Sequence, residues 1–225
     1  MLLAIDTATR YLSIALHDGH TLLGEQTLYT ANRHNTLLAS SIQQMLSVCD
    51  VSVTDLSLMA VATGPGSYTG LRIGIALAKG MAAHRNLPLV GISTLDILAA
   101  AHTFQNTRSK LLAVVQAGRG RVIAGEYRVK KGRWQAENDP ASATWDELLT
   151  DLDGSYILTG EVDQRGREAI EAARANGASI TLAAPVERLR RAGYLAQEAW
   201  RRYEEGTPED FNATVVLPVY VNSAD

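Results

Sequence analysis

Residues 64–74 carry glycines, a proline and two aliphatic hydroxyl side chains between an apolar strand and a helix. Glycine adopts backbone torsions that other residues avoid, and the exposed amides of such a turn would suit an anion. No lysine follows the glycines as the motif G-x-x-x-x-G-K-[ST] requires, so a phosphate-cradling P-loop is excluded. The segment is therefore either an anion-binding loop or a tight turn that only shapes the chain.

The hydroxyls of this segment are candidates for nucleophilic catalysis, for which a residue distant in sequence would have to activate them. Ser67 and Thr69 have no histidine close in sequence to activate them, and the motif G-x-S-x-G is absent. Capping of the following helix is the better interpretation of both hydroxyls. We expect no catalytic residue in this loop, and we expect a structural role for Gly64, Pro65, Gly66, Ser67 and Thr69.

The histidines do not form a metal-ligating pattern. Two-histidine coordination from one helix needs a second histidine one turn after His34, where Leu38 stands instead. The other four histidines flank a predicted turn or fall near predicted helix ends: His17, His20, His84 and His102. The sequence therefore predicts no metal site.

Composition limits the class of protein. The chain has 225 residues, 46% hydrophobic and 20% charged, which fits one large globular domain or two small ones. A net charge of -3 argues against a surface that by itself holds nucleic acid electrostatically. The single Cys49 excludes an internal disulfide, and the apolar start at residues 1–5 lacks the charged leader of a signal peptide. We expect a cytoplasmic protein without a membrane segment.

Hydrophobic periodicity predicts two similar units in tandem. Each begins with a meander of antiparallel strands and continues with helices and further strands. The polar stretch at residues 105–109 is the predicted boundary, which divides the chain into residues 1–104 and 105–225. A final helix at about 187–205 either belongs to the second unit or packs back on the first. The predicted strands are residues 2–5, 12–16, 21–28, 58–62, 89–92, 111–115, 122–129, 134–137 and 156–159.

The helix after the glycine-rich segment has small residues at every fourth position. Gly70, Gly74, Ala78 and Ala82 would form a ridge that lets another backbone approach closely. Because this helix is apolar nearly all round, one side could pack on the chain's own sheet and the other on a partner. The alternative is complete burial within its own unit. The predicted partner interface consists of His34, Leu38, Ile42, Met45, Gly70, Leu71, Gly74, Ile75 and Ala78.

Residues 5–9, with the sequence Ile-Asp-Thr-Ala-Thr, resemble the first phosphate loop of actin-like and sugar-kinase-like ATPases. This resemblance implies an α/β fold of two tandem actin-like, ribonuclease H-like units with a cleft between them. Asp6, Thr7 and Thr9 would then form a degenerate phosphate loop, although Asp6 could instead only satisfy backbone amides. At the matching place in the second unit stands Gln116, which supplies no charge to a metal ion. We expect no tightly bound cofactor and at most weak nucleotide binding.

Longer motifs resemble the bacterial TsaB (YeaZ) family. They are the glycine-rich segment at 64–74, Ala-Lys-Gly at 78–80, Gly-Ile-Ser-Thr-Leu at 91–95 and Pro-Val-Tyr at 218–220. This resemblance implies a non-catalytic scaffold and activator of the complex that adds a threonylcarbamoyl group to the adenosine beside the anticodon of tRNA. It implies a TsaD-like catalytic subunit as partner, the P-loop ATPase subunit TsaE as a further component, a homodimer when the chain is alone, and tRNA contact only through the complex. The alternatives are an actin-like ATP-dependent small-molecule kinase and a metalloprotease.

A basic cluster occupies the second half of the sequence. On a predicted hairpin, such charges could contact an RNA backbone. No aromatic platform accompanies them, so a solvated surface is the simpler interpretation. The cluster consists of Arg119, Arg121, Arg128, Lys130, Lys131 and Arg133.

Overall fold

The computed structural model describes residues 1–31, 33–103, 108–150 and 152–221. It contains two compact units, the first built from residues 1–97 and 190–220 and the second from the described residues of 98–189. The first unit therefore ends before residue 104, and the final helix belongs to it rather than to the second unit. Residues 105–107 of the predicted boundary lie outside the described residues.

A five-stranded mixed sheet forms the centre of the first unit, in the order β3-β2-β1-β4-β5. β1 pairs with β2 in antiparallel register and with β4 in parallel register. All five residues of β1 are buried, because this apolar strand lies in the middle of the sheet and is covered on both faces. The strands are β1 (Leu2–Asp6), β2 (Tyr11–His17), β3 (Leu22–Tyr29), β4 (Leu58–Gly64) and β5 (Leu89–Ser93).

Helices pack on both faces of this sheet. Thr7 follows β1 on the side of Ile5 and meets α2, whereas Asp6 points to the opposite side, as successive residues of a strand do. On that opposite side, α6 begins where the amide of Ala192 donates to Ser13 Oγ at 2.8 Å. The helices that pack on this sheet are α1 (His34–Val48), α2 (Tyr68–Arg85) and, near the end of the chain, α6 (Ala192–Glu205), whereas α3 (Thr94–Ala100) contains the boundary between the two units.

The second unit repeats the strand order of the first. Its main sheet runs β11-β10-β6-β7-β8, with parallel pairing of β6, β10 and β11 and antiparallel pairing of β6, β7 and β8. This repetition confirms the predicted duplication. The elements are β6 (Lys110–Ala117), β7 (Arg121–Lys130), β8 (Arg133–Ala136), β9 (Ala141–Ala143), α4 (Trp145–Leu149), β10 (Ser155–Gly160), α5 (Gln164–Ala175) and β11 (Ser179–Leu182).

Three features of the sequence prediction differ from the structure. β9 and β11 were not predicted, because strands of three and four residues give too short a pattern to separate from a loop. The final helix begins at Ala192 rather than near residue 187, since the preceding residues form turns.

Among the described residues, no helix combines the length and the apolar character needed to cross a membrane.

Candidate functional site

The loop between β1 and β2 is held by a buried ion pair. Asp6 is 1% exposed and Arg190 is 4% exposed. Arg190 Nε donates to Asp6 Oδ2 at 2.9 Å, and the other oxygen of Asp6 accepts from the amide of Ala8 at 2.8 Å. A guanidinium group of the chain itself therefore neutralises the acidic residue of the predicted phosphate loop. Such a pair resists loss of either partner, because the remaining charge would be buried alone.

The glycine-rich segment closes over the same loop from the other side. The amide of Ser67 donates to the carbonyl of Ala8 at 2.6 Å, and the hydroxyl of Thr7 donates to the carbonyl of Gly70 at 2.7 Å. A side chain at Gly66 would clash with the Ala8 carbonyl. Glycine is needed there because the two backbones are in contact. The amides of Ser67 and Gly70 are thus bonded to the protein and do not face an anion.

Ser67 is the N-cap of α2, where its Oγ accepts from the amide of Gly70 at 3.2 Å. This contact agrees with the capping role expected from the sequence, whereas Thr69 is exposed and makes no such cap. Pro65 is buried beside Gly64. At Gly64, a positive φ of 116° and contact with the carbonyl of Val219 leave no room for a side chain.

His34 completes the enclosure of the loop. Its Nε2 lies 2.6 Å from the carbonyl oxygen of Thr9, and its Nδ1 lies 3.2 Å from Thr30 Oγ1. Arg190 also donates to the hydroxyl of Thr9. His34 therefore ties the start of α1 to the loop and is 3% exposed, so it presents little surface to a partner.

These contacts decide what chemistry the loop can perform. An actin-like phosphotransferase would keep its first carboxylate available to a hydrated magnesium ion near the phosphates. Here Asp6, Thr7 and Thr9 each contact protein groups, and the positive charge is already supplied by Arg190. The three residues predicted as a degenerate phosphate loop come together in space. Their contacts connect this loop to the glycine-rich segment and to the residues before α6.

The corresponding loop of the second unit offers no catalytic carboxylate at Gln116. The amide of Gln116 donates to Glu161 Oε2 at 3.0 Å, and its side-chain nitrogen donates to the Glu161 carbonyl at 3.2 Å. Within the described ranges, no group of three or more histidine, cysteine, aspartate or glutamate residues could hold a metal ion. The metalloprotease alternative therefore gains no support from these residues.

The predicted outward ridge on α2 faces the chain's own sheet, so its assignment to a partner surface is wrong. A Cβ at Gly70 would clash with the carbonyl of Thr7, and one at Gly74 would clash with the Thr7 hydroxyl. Ala78 and Ala82 have no exposed surface. The small residues allow α2 to approach β1 closely. All nine residues of the predicted interface are buried: His34, Leu38, Ile42, Met45, Gly70, Leu71, Gly74, Ile75 and Ala78.

The surface that α2 does present lies on its opposite side. Ala76 and Gly80 are exposed, and a Cβ at Gly80 would meet no other atom within 4 Å. Ile73, Leu77 and Met81 flank them and are half-buried. This side therefore combines small exposed residues with partly covered apolar ones. We call it, together with the adjacent groove, the outer α1/α2 face.

An apolar groove separates α1 from α2 on this face. Ile42 and Leu46 line it from α1, and Leu77 and Met81 line it from α2. Val53, which is 49% exposed, also lines the groove. Ile42 is the one predicted interface residue that lines the groove, although only 5% of its surface is exposed.

The residues 218–220 at the end of the chain pack on the glycine-rich segment. The amide of Val219 donates to the carbonyl of Thr63 at 2.7 Å. The ring of Tyr220 stacks on that of Tyr68, with centroids 5.3 Å apart, and Arg72 lies over the Tyr68 ring. The closing motif of the sequence is thus held against the end of β4 and the start of α2.

The basic cluster of the second unit is largely paired. Arg128 and Lys130 contact Glu137, and hydrogen bonding from Lys130 lowers the pKa of that carboxyl. Arg121 donates to Ser142 and lies 3.5 Å from Glu147. These contacts agree with a solvated, salt-bridged surface.

Two units that share one strand order define a class of protein, the actin-like, sugar-kinase-like α/β proteins. In this chain, the loop at the position of the first phosphate loop is closed by Arg190. Within that class, a family model described as "TsaD: tRNA N6-adenosine threonylcarbamoyltransferase" matches residues 28–185. The chain is 33% identical over 173 residues to the tRNA threonylcarbamoyladenosine biosynthesis protein TsaB of Bacillus subtilis, with 76% of this chain and 75% of the relative covered. For TsaB of Escherichia coli the identity is 34% over 163 residues, covering 71% and 70%.

The chain belongs to the TsaB (YeaZ) family. The solved structure of YeaZ from Pseudomonas aeruginosa has a TM-score of 0.77 and 27% identity, and the match covers 98% of this chain and 99% of that one. The predicted family and fold class are thereby confirmed. The alternative interpretation as a small-molecule kinase is not favoured, because the two relatives carry the name of a tRNA-modification pathway.

Arg190 is the site residue that the sequence analysis missed. It lies 184 residues from Asp6, so no local spacing relates the two. The one signal available was Asp6 itself, since an aspartate that ends a buried strand needs a cation or several hydrogen-bond donors.

Proposed function

We propose that this chain is a non-catalytic subunit of the machinery that forms threonylcarbamoyladenosine in tRNA, and that it binds a TsaD-like catalytic subunit through the outer α1/α2 face. The observation that carries this proposal is the Arg190–Asp6 pair, which fills the first phosphate loop with the chain's own charge. A subunit without a free carboxylate at that position has to act through another protein. The pathway follows from the names of the relatives.

The outer face has the chemistry of a helix-packing surface. Leu77 and Met81 leave apolar surface in the groove, and the small residues Ala76 and Gly80 would let another helix approach closely. A partner that supplies two helices would complete a four-helix contact with α1 and α2. The same face would pair with a second copy of this chain when the catalytic subunit is absent.

The remaining partners follow from the pathway. The P-loop ATPase subunit TsaE would join the assembled pair, and tRNA would be bound by the complex rather than by this chain alone. The protein would act in the cytoplasm, where tRNA is modified. Nucleotide hydrolysis would be carried out by the partner subunits, because in this chain Arg190 pairs with the Asp6 carboxylate that a magnesium ion would otherwise contact.

Two substitutions on the outer face test the proposal. Ala39→Arg places a charge at an exposed position of the groove, and Gly80→Arg does so at an open position of α2. We expect each variant to remain folded but to bind the TsaD homologue of the same organism at least about tenfold more weakly, equivalent to about 1.4 kcal/mol. Complex formation is followed by light scattering coupled to gel filtration, together with tRNA modification by the mixture.

Gln44→Arg is the matched control, because Gln44 is exposed on α1 but lies outside the groove. It should bind the partner as the parent chain does. Equal binding by all three variants would show that the outer face is not the docking surface. Magnesium-dependent ATP turnover by the purified chain alone would contradict the non-catalytic assignment.

A further inference from the structure

β3 is an open edge of the five-stranded sheet. In the described part of the chain this strand pairs with β2 alone, and no strand pairs with its other side. α1 and α6 pack on its two faces, so the edge itself is what remains open. The strand carries large apolar side chains at both ends that are between 37% and 57% exposed: Leu22, Leu23, Leu28 and Tyr29.

The charges that usually protect an edge strand are missing from β3. Natural proteins place lysine, proline or inward-pointing charges on such edges to prevent pairing with another chain. Residues 22–29 contain no lysine and no proline. Glu25 is their single charged residue, and its carboxylate is already bonded by Arg191 and by the amide of Gly193. The edge therefore presents no free charge that would repel a second strand.

The pairing with β2 determines which backbone groups of β3 point outward. The amide of Thr30, the residue after β3, donates to the carbonyl of Arg10 at 3.0 Å. Hydrogen-bonded and non-hydrogen-bonded pairs alternate along an antiparallel ladder, so the even-numbered residues of β3 bond β2. The amides and carbonyls of Glu25, Thr27 and Tyr29 consequently point away from the sheet.

A β-bulge limits the regular part of this edge. The register with β2 shifts between Leu16 and His17, which leaves Leu23 as the extra residue of β3. The carbonyl of Leu23 accepts from Cys49 Sγ at 3.8 Å. Residues 24–29 are therefore the part of the edge that is free to form a regular ladder.

Symmetry restricts how this edge can pair with its own copy. A two-fold axis perpendicular to the sheet pairs residues on the same face, so the numbers of opposed residues add up to an even sum. Two such registers overlap nearly the whole strand. The register over residues 22–28 opposes Glu25 to Glu25, and like charges directly opposite each other are unfavourable. The register over residues 23–29 opposes Gln26 to Gln26 and Glu25 to Thr27.

The second register also fits the free backbone groups and the apolar ends. Glu25 and Thr27 both have outward amides and carbonyls, so they form hydrogen-bonded pairs across the contact. Leu28 lies opposite Gly24, and Tyr29 lies opposite Leu23 at the apolar end of the other strand. The exposed apolar side chains of one copy are thus covered by those of the other.

We propose that β3 binds the β3 of a second copy of this chain in antiparallel register, with Gln26 on the two-fold axis. The contact joins two five-stranded sheets into one continuous sheet and removes an open edge from each. It goes beyond the proposed function and does not depend on it, because it uses none of the residues that line the groove of the outer α1/α2 face.

Disulfide trapping tests this register. Gln26 and its copy form a non-hydrogen-bonded pair, in which the Cα atoms are about 4.5 Å apart and within reach of a disulfide. We expect Gln26→Cys to give a disulfide-linked dimer under mild oxidation. The variant is made in a Cys49→Ala background, which removes the native thiol. Gel electrophoresis without reductant measures the rate.

Leu28→Cys in the same background is the matched control, because it lies on the same face of the same strand. In the proposed register the two copies of Leu28 are displaced by four residues along the strand, or about 13 Å. We therefore expect cross-linking at least about tenfold slower than that of Gln26→Cys. Leu28 is more exposed than Gln26, so random collision would favour the control instead. A rate for Gln26→Cys no higher than that of Leu28→Cys would overturn the proposal.

Sedimentation velocity separates this contact from the outer α1/α2 face. The Gly80→Arg variant, with that face blocked, should still form dimers as its concentration rises. Adding Gln26→Lys sets two like charges opposite each other on the axis and should leave monomers. A Gly80→Arg chain that stays monomeric, or a double variant that dimerises equally well, would overturn the β3 contact.

Partner binding distinguishes a failure of this inference from a failure of the proposed function. Gln26→Lys alone should bind the TsaD homologue as the parent chain does, whereas Gly80→Arg should not. If Gly80→Arg binds normally while Gln26→Cys still cross-links, the outer α1/α2 face is wrong and the β3 contact is supported. If Gln26→Lys alone weakens partner binding, the β3 edge belongs to the partner surface and the assignment to a second copy is wrong.

Discussion

At the scale of single residues, the side chains that could do chemistry are used to hold the chain together. Asp6, Thr9 and His34 carry the groups of a reactive site, yet each bonds a neighbouring loop or the segment before α6. An acid that is buried with an arginine contributes to a unique arrangement of loops rather than to proton or metal chemistry. The ionisable groups with the clearest consequences for stability are Asp6 and Arg190, which pair with each other, and His102.

Removing one partner of the Asp6–Arg190 pair should destabilise the protein more than replacing both partners together. Asp6→Asn or Arg190→Met leaves one charge buried without its partner, and we expect each variant to lose about 3–5 kcal/mol of stability. The double variant should be more stable than the sum of the two losses predicts. Urea denaturation of the four proteins measures the coupling, and strictly additive losses would mean that the pair is not a unit.

His102 should make stability depend on pH. Burial lowers its pKa from the ordinary value of about 6.5, and the nearby Glu187 opposes this effect only in part. The unfolded chain therefore takes up the proton first as the pH falls. The stabilising contribution is complete above about pH 6.5 and is lost progressively below it. Thermal unfolding between pH 5 and 8 should show this slope, and His102→Gln should flatten it.

His17 is the necessary comparison, because burial also lowers its pKa. His17→Gln should remove its own share of the pH dependence and leave the share of His102. An unchanged slope in His102→Gln would mean that this imidazole titrates alike in the folded and unfolded chains.

At the scale of helices and strands, the spacing of small residues on α2 predicted close packing correctly but placed it on the wrong side. A period of four residues selects one side of a helix without stating whether a sheet or a partner covers it. In the structure, Gly74 contacts Thr7, whereas Gly80 is open. The partner surface proposed here is therefore the side of α2 that the sequence pattern did not select.

Two alanine substitutions separate these sides. Gly74→Ala should destabilise the chain by about 1–3 kcal/mol, because its Cβ enters the space of the Thr7 hydroxyl. Gly80→Ala should stabilise it by up to about 1 kcal/mol through helix propensity. The midpoints of urea denaturation compare the two. Equal stability of both variants would mean that α2 is not seated on β1 as described.

At the scale of the whole molecule, the first unit is assembled from two distant parts of the chain. α6 supplies Leu195, Ala196 and Ala199 to the core of this unit, and all three have no exposed surface. The residues before α6 supply Arg190 to Asp6. The unit that resembles a simple N-terminal domain in the sequence is thus incomplete without residues 190–220.

A fragment of residues 1–104 should accordingly not fold. It lacks the helix that covers β1 and β2 and leaves Asp6 without its cation, so we expect dye-binding apolar surface and no cooperative thermal transition. The control is residues 1–97 joined to 190–221 by a flexible linker, which should unfold cooperatively. Cooperative unfolding of the shorter fragment would show that α6 is dispensable.

The amino-acid sequence by itself determined most of the elements, their duplication and the family. Apolar periodicity reports local burial, and the glycine-rich segment is specific because backbone contacts at Gly64, Gly66 and Gly70 exclude side chains. Only the tertiary structure decided which face of α2 is free, that α6 completes the first unit, and that Arg190 fills the phosphate loop. Those outcomes depend on contacts between residues far apart in the chain, for which neither spacing nor composition carries a signal.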